Sequence, residues 1–510
     1  MERSKLDELE SRRTAIRAPG EKVERLHAEG KMSARERLDI LLDAGTFREI
    51  GTFNRSQTPA LADRTPADGL VAGWGRIDGR VVYVMAEDGA VFAGTRGKVA
   101  SQKARRIRQL ALEHNAPFIE LMEAGALRFQ ESGGAIAAGA GYRFPDQYRL
   151  SGRVPLASAM MGQCFGGPSF TAVQGDFTTI VKDTGFMGMS GPPLVKVGLG
   201  REVTADEIGG AEMSATVTGQ ADHMGETEAD SLQAIRRFLS YFPANADELP
   251  PRAEPRPAAI DSAAGAEKFS ALVPENQRRA YDMRQLVEML VDGGEVFDYR
   301  GLYGQSLICC WARIDGEVVG IMANQPMKMG GALDERAVHK GRKFADTCDA
   351  FHIPLVFLCD CPGFMIGPDA ERQRMVSNVT RYMNTLARAS VPRTAIIIRK
   401  AIGLGYQAMC GRIFEPDTIV AWPTAQFDLL APAAGVELAN KRRLSEADDP
   451  DALRVELLAE AERLASGYRA AEMGLIDEVI APAETREVIR GVLQRAAGRR
   501  KPGFRHSIDP

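Results

Sequence analysis

Apolar and polar residues alternate along the chain in a pattern that predicts the same series of elements twice. In each series, two apolar runs rich in β-branched residues flank an Asp-Gly pair, which is a strong signal for a β-hairpin. The runs are residues 71–77 and 81–86 around Asp78 and Gly79, and residues 307–314 and 318–323 around Asp315 and Gly316. The sequence therefore predicts one antiparallel hairpin in each half of the chain.

Each predicted hairpin leads into alternating helices and buried strands. A long helical pattern is followed by a proline and a short apolar strand, and then by a second helix and a second apolar strand. The predicted elements are the helices 98–115 and 335–351, the strands 118–122 and 355–359, and the second strands 156–161 and 394–398. Such alternation predicts an α/β layered fold in each half.

The two series are copies of one another. Residues 74–82 return as residues 311–319, an offset of 237, and the register holds at Gly94 with Gly331 and at Gly166 with Gly403. A repeat of this length is a duplicated domain. Because two similar domains usually form one site together, we expect the functional residues where the copies correspond.

The chain is predicted to hold an N-terminal domain, a linker and a C-terminal domain. Residues 1–45 are expected to be helical and charged, with a capping box at Ser33 and Glu36. Prolines and charges give the middle of the chain a linker composition. The predicted boundaries are 1–245, 246–260 and 261–510, and the basic tail 497–510 is expected to fray.

Composition excludes several function classes. The chain has 510 residues, is 45% hydrophobic and 26% charged, and has a net charge of -4. This charge gives no reason to expect nucleic acid, and no apolar stretch approaches the roughly 18 residues of a membrane span. The seven cysteines form no CxxC pair and the six histidines no HExxH set. We therefore expect no metal site, and a cytoplasmic location.

Two glycine-containing turns at corresponding positions carry the candidate chemistry. Gly166 and Gly167 lie in one turn, and Leu404 and Gly405 in the other; each follows an apolar strand and precedes a helical stretch. Glycine permits a sharp turn and leaves backbone N–H groups unshielded. Such groups stabilise negative charge on an oxygen, which favours enolate or oxyanion chemistry at a thioester or amide. A close-packed structural turn is an equally good interpretation of the pattern alone.

Conventional catalytic sets are absent from the sequence. Ser190 does not lie in a GxSxG motif, and Cys164 has no evident histidine partner. Tyr406 and Gln407, just past the second turn, either face a pocket or are ordinary helix residues. Residues 327–329 match the tripeptide of biotin attachment sites, but their position between a hairpin and a helix favours an unmodified Lys328.

Six segments together are more specific than any single motif. They lie, in order, at residues 30–37, 323–326, 348–354, 360–364, 399–401 and 421–425. As a set they resemble the carboxyltransferase (β) subunit of biotin-dependent acyl-CoA carboxylases, the group that includes propionyl-CoA carboxylase. The resemblance covers about residues 22 to 490. It implies two duplicated crotonase-like (ββα superhelix) domains, with active sites where the N-domain of one subunit meets the C-domain of another.

The resemblance also implies roles for individual residues. Gly166 and Gly167 would hold the thioester carbonyl of the acyl-CoA as it becomes an enolate. Leu404 and Gly405 would hold the ureido carbonyl of carboxybiotin. If the released biotin nitrogen takes the α-proton, no side-chain base is needed, which accounts for the missing catalytic dyad. The residues expected to contact substrate are Gly125, Ala126, Tyr406 and Gln407.

Two turns depart from the usual family pattern. Residues 123–128 begin with Glu123 and Ala124, where the family usually has aspartate and serine. Residues 403–407 end in Gln407, where the family usually has an acid or an apolar residue at a position linked to acyl-chain choice. A neutral polar side chain there would accept a polar or unusual acyl group, or fill space.

The predicted function is transfer of a carboxyl group from carboxybiotin to the α-carbon of an acyl-CoA. The resemblance implies that biotin is attached to a separate carrier, that a biotin carboxylase is a partner, and that the chain forms a homo-hexamer (a trimer of dimers). The alternatives are an acyl-CoA decarboxylase or transcarboxylase running the reverse reaction, and a non-catalytic scaffold subunit. No nucleic-acid or membrane partner is expected.

Overall fold

The computed structural model describes residues 3–17, 21–124, 127–139, 141 and 144–510. By their internal contacts the residues divide into two compact units. Unit 1 is Met1–Glu248 with Gly503–Pro510, and unit 2 is Leu249–Pro502. The domain boundaries predicted from the sequence stay a prediction.

Unit 1 contains helices α1 to α11 and strands β1 to β9 among its described residues. The helices are α1 Arg3–Arg17, α2 Glu21–Ala28, α3 Ala34–Leu41, α4 Lys98–Glu113, α5 Phe129–Ser132, α6 Phe144–Leu150, α7 Gly167–Val173, α8 Pro192–Leu199, α9 Ala205–Gly209, α10 Ala211–Met213 and α11 Glu228–Tyr241. The strands are β1 Arg48–Glu49, β2 Leu70–Ile77, β3 Arg80–Glu87, β4 Phe118–Met122, β5 Leu156–Met160, β6 Gln163–Phe165, β7 Phe177–Val181, β8 Phe186–Gly188 and β9 His223–Gly225.

Unit 2 contains helices α12 to α22 and strands β10 to β17. The helices are α12 Ala263–Ala271, α13 Met283–Leu290, α14 Glu335–Ala350, α15 Pro368–Arg372, α16 Met375–Arg388, α17 Gly403–Ala408, α18 Pro432–Ala439, α19 Lys441–Ser445, α20 Pro450–Leu464, α21 Gly467–Glu472 and α22 Thr485–Ala496. The strands are β10 Val296–Asp298, β11 Leu307–Ile314, β12 Glu317–Asn324, β13 Leu355–Cys361, β14 Arg393–Ile402, β15 Thr418–Ala421, β16 Gln426–Asp428 and β17 Glu478–Val479.

The main sheets of the two units have the same topology. Within the described residues the strand order is β1-β2-β3-β4-β5-β7-β9 in unit 1 and β10-β11-β12-β13-β14-β15-β17 in unit 2. In each sheet the first three strands are antiparallel and the following pairs are parallel. The predicted α/β fold class and its duplication are therefore confirmed.

Both predicted hairpins are present, and an aspartate fixes each turn. Asp78 and Gly79 have φ of 50° and 78°, and Asp315 and Gly316 have φ of 58° and 77°. Two central residues with positive φ are typical of the tight turns that match strand twist. Asp43 accepts the N–H groups of the first turn at 3.1 and 2.8 Å, and Asp292 those of the second at 3.0 and 2.8 Å.

A buried lysine ties the helix after each hairpin to the loop before it. Lys103 Nζ on α4 donates to the carbonyl oxygens of Gly51 and Leu70 at 3.1 and 2.6 Å. Lys340 Nζ on α14 donates to those of Arg300 and Tyr303 at 3.2 and 2.8 Å. These positions correspond in the repeat, so the duplication has preserved a buried polar anchor as well as the apolar core.

The predictions for the two ends of the chain have different outcomes. The capping box at Ser33 and Glu36 is confirmed at the start of α3. The prediction that the C-terminal tail frays is wrong, because Ile508 is buried and its N–H donates to Ser151 Oγ at 2.9 Å. An apolar side chain near the end of a polar segment is enough to hold that segment against unit 1.

Candidate functional site

The first glycine turn links β6 to α7 in unit 1. Gly166 has φ 77° and ψ −126°, a conformation that L side chains rarely adopt, and it precedes the first residue of α7. Its N–H donates to Gly188 O at 2.8 Å, which joins the turn to β8. Within the part of the chain that the structure describes, no acceptor takes the Gly167 N–H. Gly167 therefore presents the available main-chain donor of this turn.

The second glycine turn links β14 to α17 in unit 2. Gly403 has φ 55°, Leu404 is 52% exposed and Gly405 is buried. A Cβ on Gly405 would lie 2.7 Å from Gly363 Cα and 2.8 Å from Cys361 Sγ, so this turn packs directly on the turn after β13. The N–H groups of Leu404 and Gly405 find no acceptor among the described residues. Both turns thus leave unpaired donors at corresponding positions of the repeat.

Tyr406 and Gln407 follow the second turn with different surroundings. The Tyr406 hydroxyl accepts the Arg412 N–H at 3.1 Å, and its ring packs edge-on against Phe427 at 5.4 Å between centroids. Burial raises the pKa of Tyr406 to about 12, so the phenol stays protonated at neutral pH. Gln407 Oε1 is buried and has no hydrogen-bond partner in the described residues. Of the two side chains, Gln407 therefore has the unused acceptor.

A buried carboxylate lies at the carboxyl end of the first parallel strand of each unit: Glu123 directly follows β4, and Asp360 is the last residue but one of β13. Glu123 lies 3.3 Å from Lys31 Nζ and 2.5 Å from Arg37 Nη1. Asp360 accepts from Arg399 Nε at 2.9 Å and from the Lys400 N–H at 3.1 Å. Each carboxylate is paired with nearby cations, which compensate its buried negative charge.

Unit 1 also contains a basic cavity beside its turn carboxylate. Its volume is ≈ 540 Å³. The Phe92 ring has Lys22 Nζ, Arg64 Cζ and Arg128 Cζ at 5.7, 4.9 and 5.3 Å from its centroid. The cavity is lined by Lys22, Arg25, Leu26, Glu29, Lys31, Arg64, Gly89, Ala90, Phe92, Ala93, Glu123 and Gln163. An aromatic face surrounded by cations suits a ligand that carries phosphates and a planar base.

Sequence reasoning located the turns but missed this cavity. Its cations come from α2, the segment after it and the loop near Arg64, which do not form a cluster in sequence. Residues 103–106 form a basic run whose composition is typical of a solvated helix face, but Lys103 is buried. Gly125 and Ala126, the two predicted substrate contacts of unit 1, lie outside the described residues.

Two classes of feature are not found in the described residues. No group of three or more histidine, cysteine, aspartate or glutamate side chains is arranged to hold a metal ion. No helix of the described chain has the length and apolarity needed to cross a bilayer.

Comparisons with known proteins are consistent along the whole chain. The model of the carboxyl transferase domain matches residues 25–505. The chain is 37% identical to the propionyl-CoA carboxylase carboxyltransferase subunit of Haloferax mediterranei, over 99% of both chains. It is 35% identical to the methylmalonyl-CoA decarboxylase subunit alpha of Veillonella parvula, over 98% of this chain and 96% of that one.

A solved structure extends the likeness to three dimensions. The transcarboxylase 12S crystal structure, described as a hexamer with methylmalonyl-coenzyme A and methylmalonic acid bound, aligns with a TM-score of 0.90 and 33% identity. The alignment covers 98% of this chain and 96% of the 12S chain.

Proposed function

Because the chain belongs to the carboxyl transferase domain family, we propose that it moves a carboxyl group from carboxybiotin, on a separate carrier protein, to the α-carbon of an acyl-CoA. The resemblance and the enzyme class predicted from the sequence are confirmed by relatives that match nearly the whole chain. The crotonase-like fold is confirmed by the 12S structure. The donor, the acyl group and the role of each residue are proposals.

The observation that carries the proposal is the pair of unpaired donors at matched turns. In unit 1 the Gly167 N–H would hold the thioester oxygen of the acyl-CoA, and Gly166 shapes the turn while its own N–H bonds Gly188. In unit 2 the N–H groups of Leu404 and Gly405 would hold the ureido oxygen of the donor. Donors fixed in the backbone need no reorganisation when negative charge develops on the oxygen.

The proposed chemistry needs only these main-chain groups from the chain. Withdrawing electron density from the thioester oxygen acidifies the α-carbon, and holding the ureido oxygen weakens the bond to the carboxyl group. Carboxybiotin, when bound, supplies the carboxyl group and the nitrogen that accepts the α-proton. The backbone fits such a carbonyl, because Gly405 has no Cβ where Gly363 and Cys361 approach and the neighbouring Leu404 is half exposed.

The basic cavity of unit 1 supports the placement of the coenzyme A nucleotide. Lys22, Arg25 and Arg64 supply positive charge for phosphates, and the Phe92 ring supplies a face for the adenine. Phe92 and Ala93 both have positive φ, at 49° and 51°, and strained backbone of this kind often clusters at ligand clamps. Lys22→Gln should therefore raise KM for an acyl-CoA several-fold with little effect on kcat, and an unchanged KM would remove the cavity from this role.

Gln407 supports a role in selecting the acyl group. Its buried Oε1 has no partner in the described residues, and an unsatisfied buried acceptor costs about 1–3 kcal/mol. An acyl chain with a hydrogen-bond donor would satisfy it, whereas a short alkyl chain would not. Gln407→Leu should shift preference toward alkyl substrates, and an unchanged ranking of acyl-CoAs would contradict this role.

Exposed apolar helices support a homo-oligomer, for which we propose the hexamer described for the 12S protein. In unit 1, α8 carries the exposed Leu194, Val197 and Leu199. In unit 2, the exposed Leu429 and Leu438 lie at or just before α18. Apolar patches on both units favour burial against further copies. Light scattering on the purified chain measures the oligomeric state directly, and a monomer at micromolar concentration would contradict the hexamer.

The seven buried cysteines form no disulfide, which supports a cytoplasmic location.

The decisive experiment removes one main-chain donor and compares the result with removal of the same side chain alone. Leu404→Pro deletes an N–H that has no acceptor in the described residues, at the first turn of α17, where proline is tolerated. The preceding Gly403 has no Cβ to clash with the ring. We expect kcat to fall about 10²–10³-fold, while the matched variant Leu404→Ala keeps the donor and most of the activity.

The assay measures labelled bicarbonate entering a panel of acyl-CoAs with the biotin carboxylase and carrier partners. Equal activities of the two Leu404 variants would remove the main-chain donor from the mechanism. No acyl-CoA-dependent label with any substrate would overturn carboxylation. The likeness to a decarboxylase subunit supports the reverse direction. The assay for it measures transfer of the carboxyl group from a carboxylated acyl-CoA to the carrier in the absence of bicarbonate.

A further inference from the structure

Unit 2 contains a cavity that the proposed function does not use. It has a volume of ≈ 560 Å³ and lies between α22 and the sheet edge formed by β15 and β17. The buried Val420, Ile480 and Val492 give it an apolar floor. Its rim carries the charged side chains Asp417, Asp477, Glu478, Arg495 and Arg499. This volume is in the range of small-molecule sites.

The sheet register identifies what occupies the same place in unit 1. Phe177 pairs with Ala157, and Thr418 pairs with Thr394. Positions 157 and 394 correspond at the offset of 237 that relates the two copies. Thr418 therefore stands where unit 1 has a phenylalanine.

An arginine on α11 and an arginine on α22 show which residues of these two helices correspond. Arg236 on α11 donates to Leu41 O at 2.7 Å and pairs with Asp43 at 3.2 Å. Arg486 on α22 donates to Leu290 O and pairs with Asp292 at 2.7 Å. Both aspartates cap the turn of their own hairpin, so the two arginines are equivalent. Val488, Gly491 and Val492 on α22 then correspond to Phe238 and Tyr241 on α11 and to Phe242, which directly follows it.

In unit 1 buried aromatic side chains occupy this space. Phe177 stacks on Phe238 with 4.9 Å between ring centroids, and Phe238 lies 4.3 Å from Phe242. All three are buried, as is Tyr241. In unit 2 the corresponding residues are small, and a Cβ added to Gly491 would meet nothing within 4 Å. The cavity is therefore the space that aromatic rings occupy in the other copy.

Arg495, on the rim, has N–H donors that no ion pair in the described residues uses. Arg495 Nη2 donates to Thr418 Oγ1 at 2.6 Å, and this guanidinium forms no ion pair within the described residues. Arg499 is paired with Asp417, and the nearby Arg412 with Asp477 at 3.4 Å. The change from Phe177 to Thr418 thus opens the floor and also supplies the hydroxyl that positions Arg495. A guanidinium fork matches a carboxylate with two parallel hydrogen bonds.

We propose that this cavity binds a small ligand that combines a planar aromatic ring with a carboxylate. The ring would lie on the apolar floor, where unit 1 has its own rings, and the carboxylate would bind Arg495. Glu478, whose carboxylate accepts the Val479 N–H at 3.0 Å, lies at the β17 side of the rim and repels an anion there. The ligand is therefore oriented with its carboxylate toward α22. This inference does not depend on carboxyl transfer.

The test uses the full-length chain and the probes 2-naphthoate, benzoate and the uncharged 2-naphthamide, with binding measured by calorimetry. Arg495→Gln removes the guanidinium, and Gly491→Tyr restores the residue of unit 1. The controls are Arg442→Gln, at an exposed arginine of unit 2, and Gly491→Ala, which adds no ring. We expect 2-naphthoate to bind, Arg495→Gln to weaken it about tenfold or more, Gly491→Tyr to abolish binding, and both controls to keep it.

The other outcomes overturn the proposal in defined ways. If no aromatic carboxylate binds the unchanged chain, the cavity is not such a site. If 2-naphthamide binds as well as 2-naphthoate and Arg495→Gln has no effect, the carboxylate part is wrong. If Gly491→Tyr folds, as judged by its thermal midpoint, and binds normally, the ligand lies elsewhere. Should Gly491→Tyr not fold, the Arg495→Gln result decides alone.

Discussion

The two units keep a buried carboxylate at the same position of the repeat, but the cations that neutralise it come from different segments. Glu123 in unit 1 is paired by Lys31 and Arg37, which belong to the N-terminal segment around α3. Asp360 in unit 2 is paired by Arg399 and Lys400, which belong to the adjacent strand β14. The charge of the turn has been retained, while its partners come from unrelated parts of the chain.

The difference in side-chain length has a local explanation. The longer Glu123 occupies space that exists only because Gly89 and Gly162 have no side chain, since a Cβ on either would lie 2.7 Å from Glu123 atoms. The departure from aspartate at this position is therefore a packed alternative. It does not by itself indicate a lost active site, which was one interpretation of the sequence.

The backbone around the two turns has changed much less than the charges. Gly94 and Gly331 both have positive φ and both approach the carbonyl oxygen of the turn residue. Glu87 accepts the Glu123 N–H at 2.9 Å, and Asn324 accepts the Asp360 N–H at 3.2 Å. Main-chain geometry is therefore the preserved feature, as expected if main-chain donors do the chemistry.

The largest effect should come from removing the cation of unit 1. Arg37 is fully buried and pairs with both Glu123 and Glu228. Burial alone would lower the pKa of Arg37, but the two carboxylates raise it above its usual value. Arg37→Leu leaves Glu228 without its cation and Glu123 with Lys31 alone, and should cost about 3–5 kcal/mol of unfolding free energy, measured by urea denaturation.

The matched change in unit 2 is Arg399→Leu. Arg399 pairs with the single carboxylate of Asp360, whereas Arg37 pairs with two carboxylates. Arg399→Leu also leaves Lys400 3.7 Å from Asp360, so we expect a smaller loss than for Arg37→Leu. Arg12→Leu, at an exposed pair on α1, should cost less than about 1 kcal/mol. Equal losses for Arg37 and Arg399 would contradict the idea that the two turns are neutralised differently.

The next effect tests the preserved backbone. Gly94→Ala places a Cβ against the Glu123 carbonyl oxygen, and Gly331→Ala places one 2.5 Å from that of Asp360. Both positions also have positive φ, so we expect each variant to lose about 2–3 kcal/mol, with the larger loss at the closer contact of Gly94. Urea denaturation measures the stability, and the labelled-bicarbonate assay the activity. A neutral Gly94→Ala would show that the turn tolerates movement.

Much of this architecture could be predicted because its signals are local. The hairpins follow from Asp-Gly pairs between β-rich runs, and β4 was predicted with its observed bounds, Phe118–Met122. The repeat itself predicted that the turns at Gly166 and Leu404 correspond. The end of β14 was not predicted, because the strand continues beyond its apolar run through the charged Arg399 and Lys400 to Ile402, and this extension pairs with β13 and β16.

The remaining features depend on contacts between distant segments. Nothing in the sequence near Glu123 indicates that Arg37 reaches it, and nothing near Lys103 indicates that its ammonium bonds Leu70 O. Likewise, the basic cavity assembles Lys22, Arg64 and Phe92 from separate segments. Sequence spacing reports one helix face or one strand, so sites built across several elements escape it.

The twin lysines provide a pH-dependent prediction. Burial lowers the pKa of Lys103 to about 8 and that of Lys340 to about 8, from 10.5. Between pH 8 and 10.5 the unfolded chain therefore binds a proton that the folded chain has released, so unfolding free energy rises with pH in this window. We expect each lysine to contribute about 1–2 kcal/mol of this rise by pH 9.5.

Methionine variants isolate this contribution from other groups that titrate. Lys103→Met and Lys340→Met should each flatten the rise in stability between pH 8 and 9.5, measured by urea denaturation at several pH values. The exposed Lys441→Met should leave the slope as it is. A slope that both buried variants retain would show that the lysines stay charged in the folded chain. A change at only one would reveal a difference between the units.

The smallest effect concerns a turn where the two units differ in backbone strain. Ala93 has φ 51° in unit 1, whereas the corresponding position in unit 2 is Gly330, with φ 63°. Alanine in the left-handed region costs more than glycine, so Ala93→Gly should stabilise the chain by about 0.5–1 kcal/mol, and Gly330→Ala should destabilise it by a similar amount. A Cβ on Gly330 meets nothing within 4 Å, so conformation alone is measured. If Ala93→Gly instead lowers acyl-CoA affinity while raising the unfolding free energy, the strain at Ala93 serves the cavity beside it and not the fold.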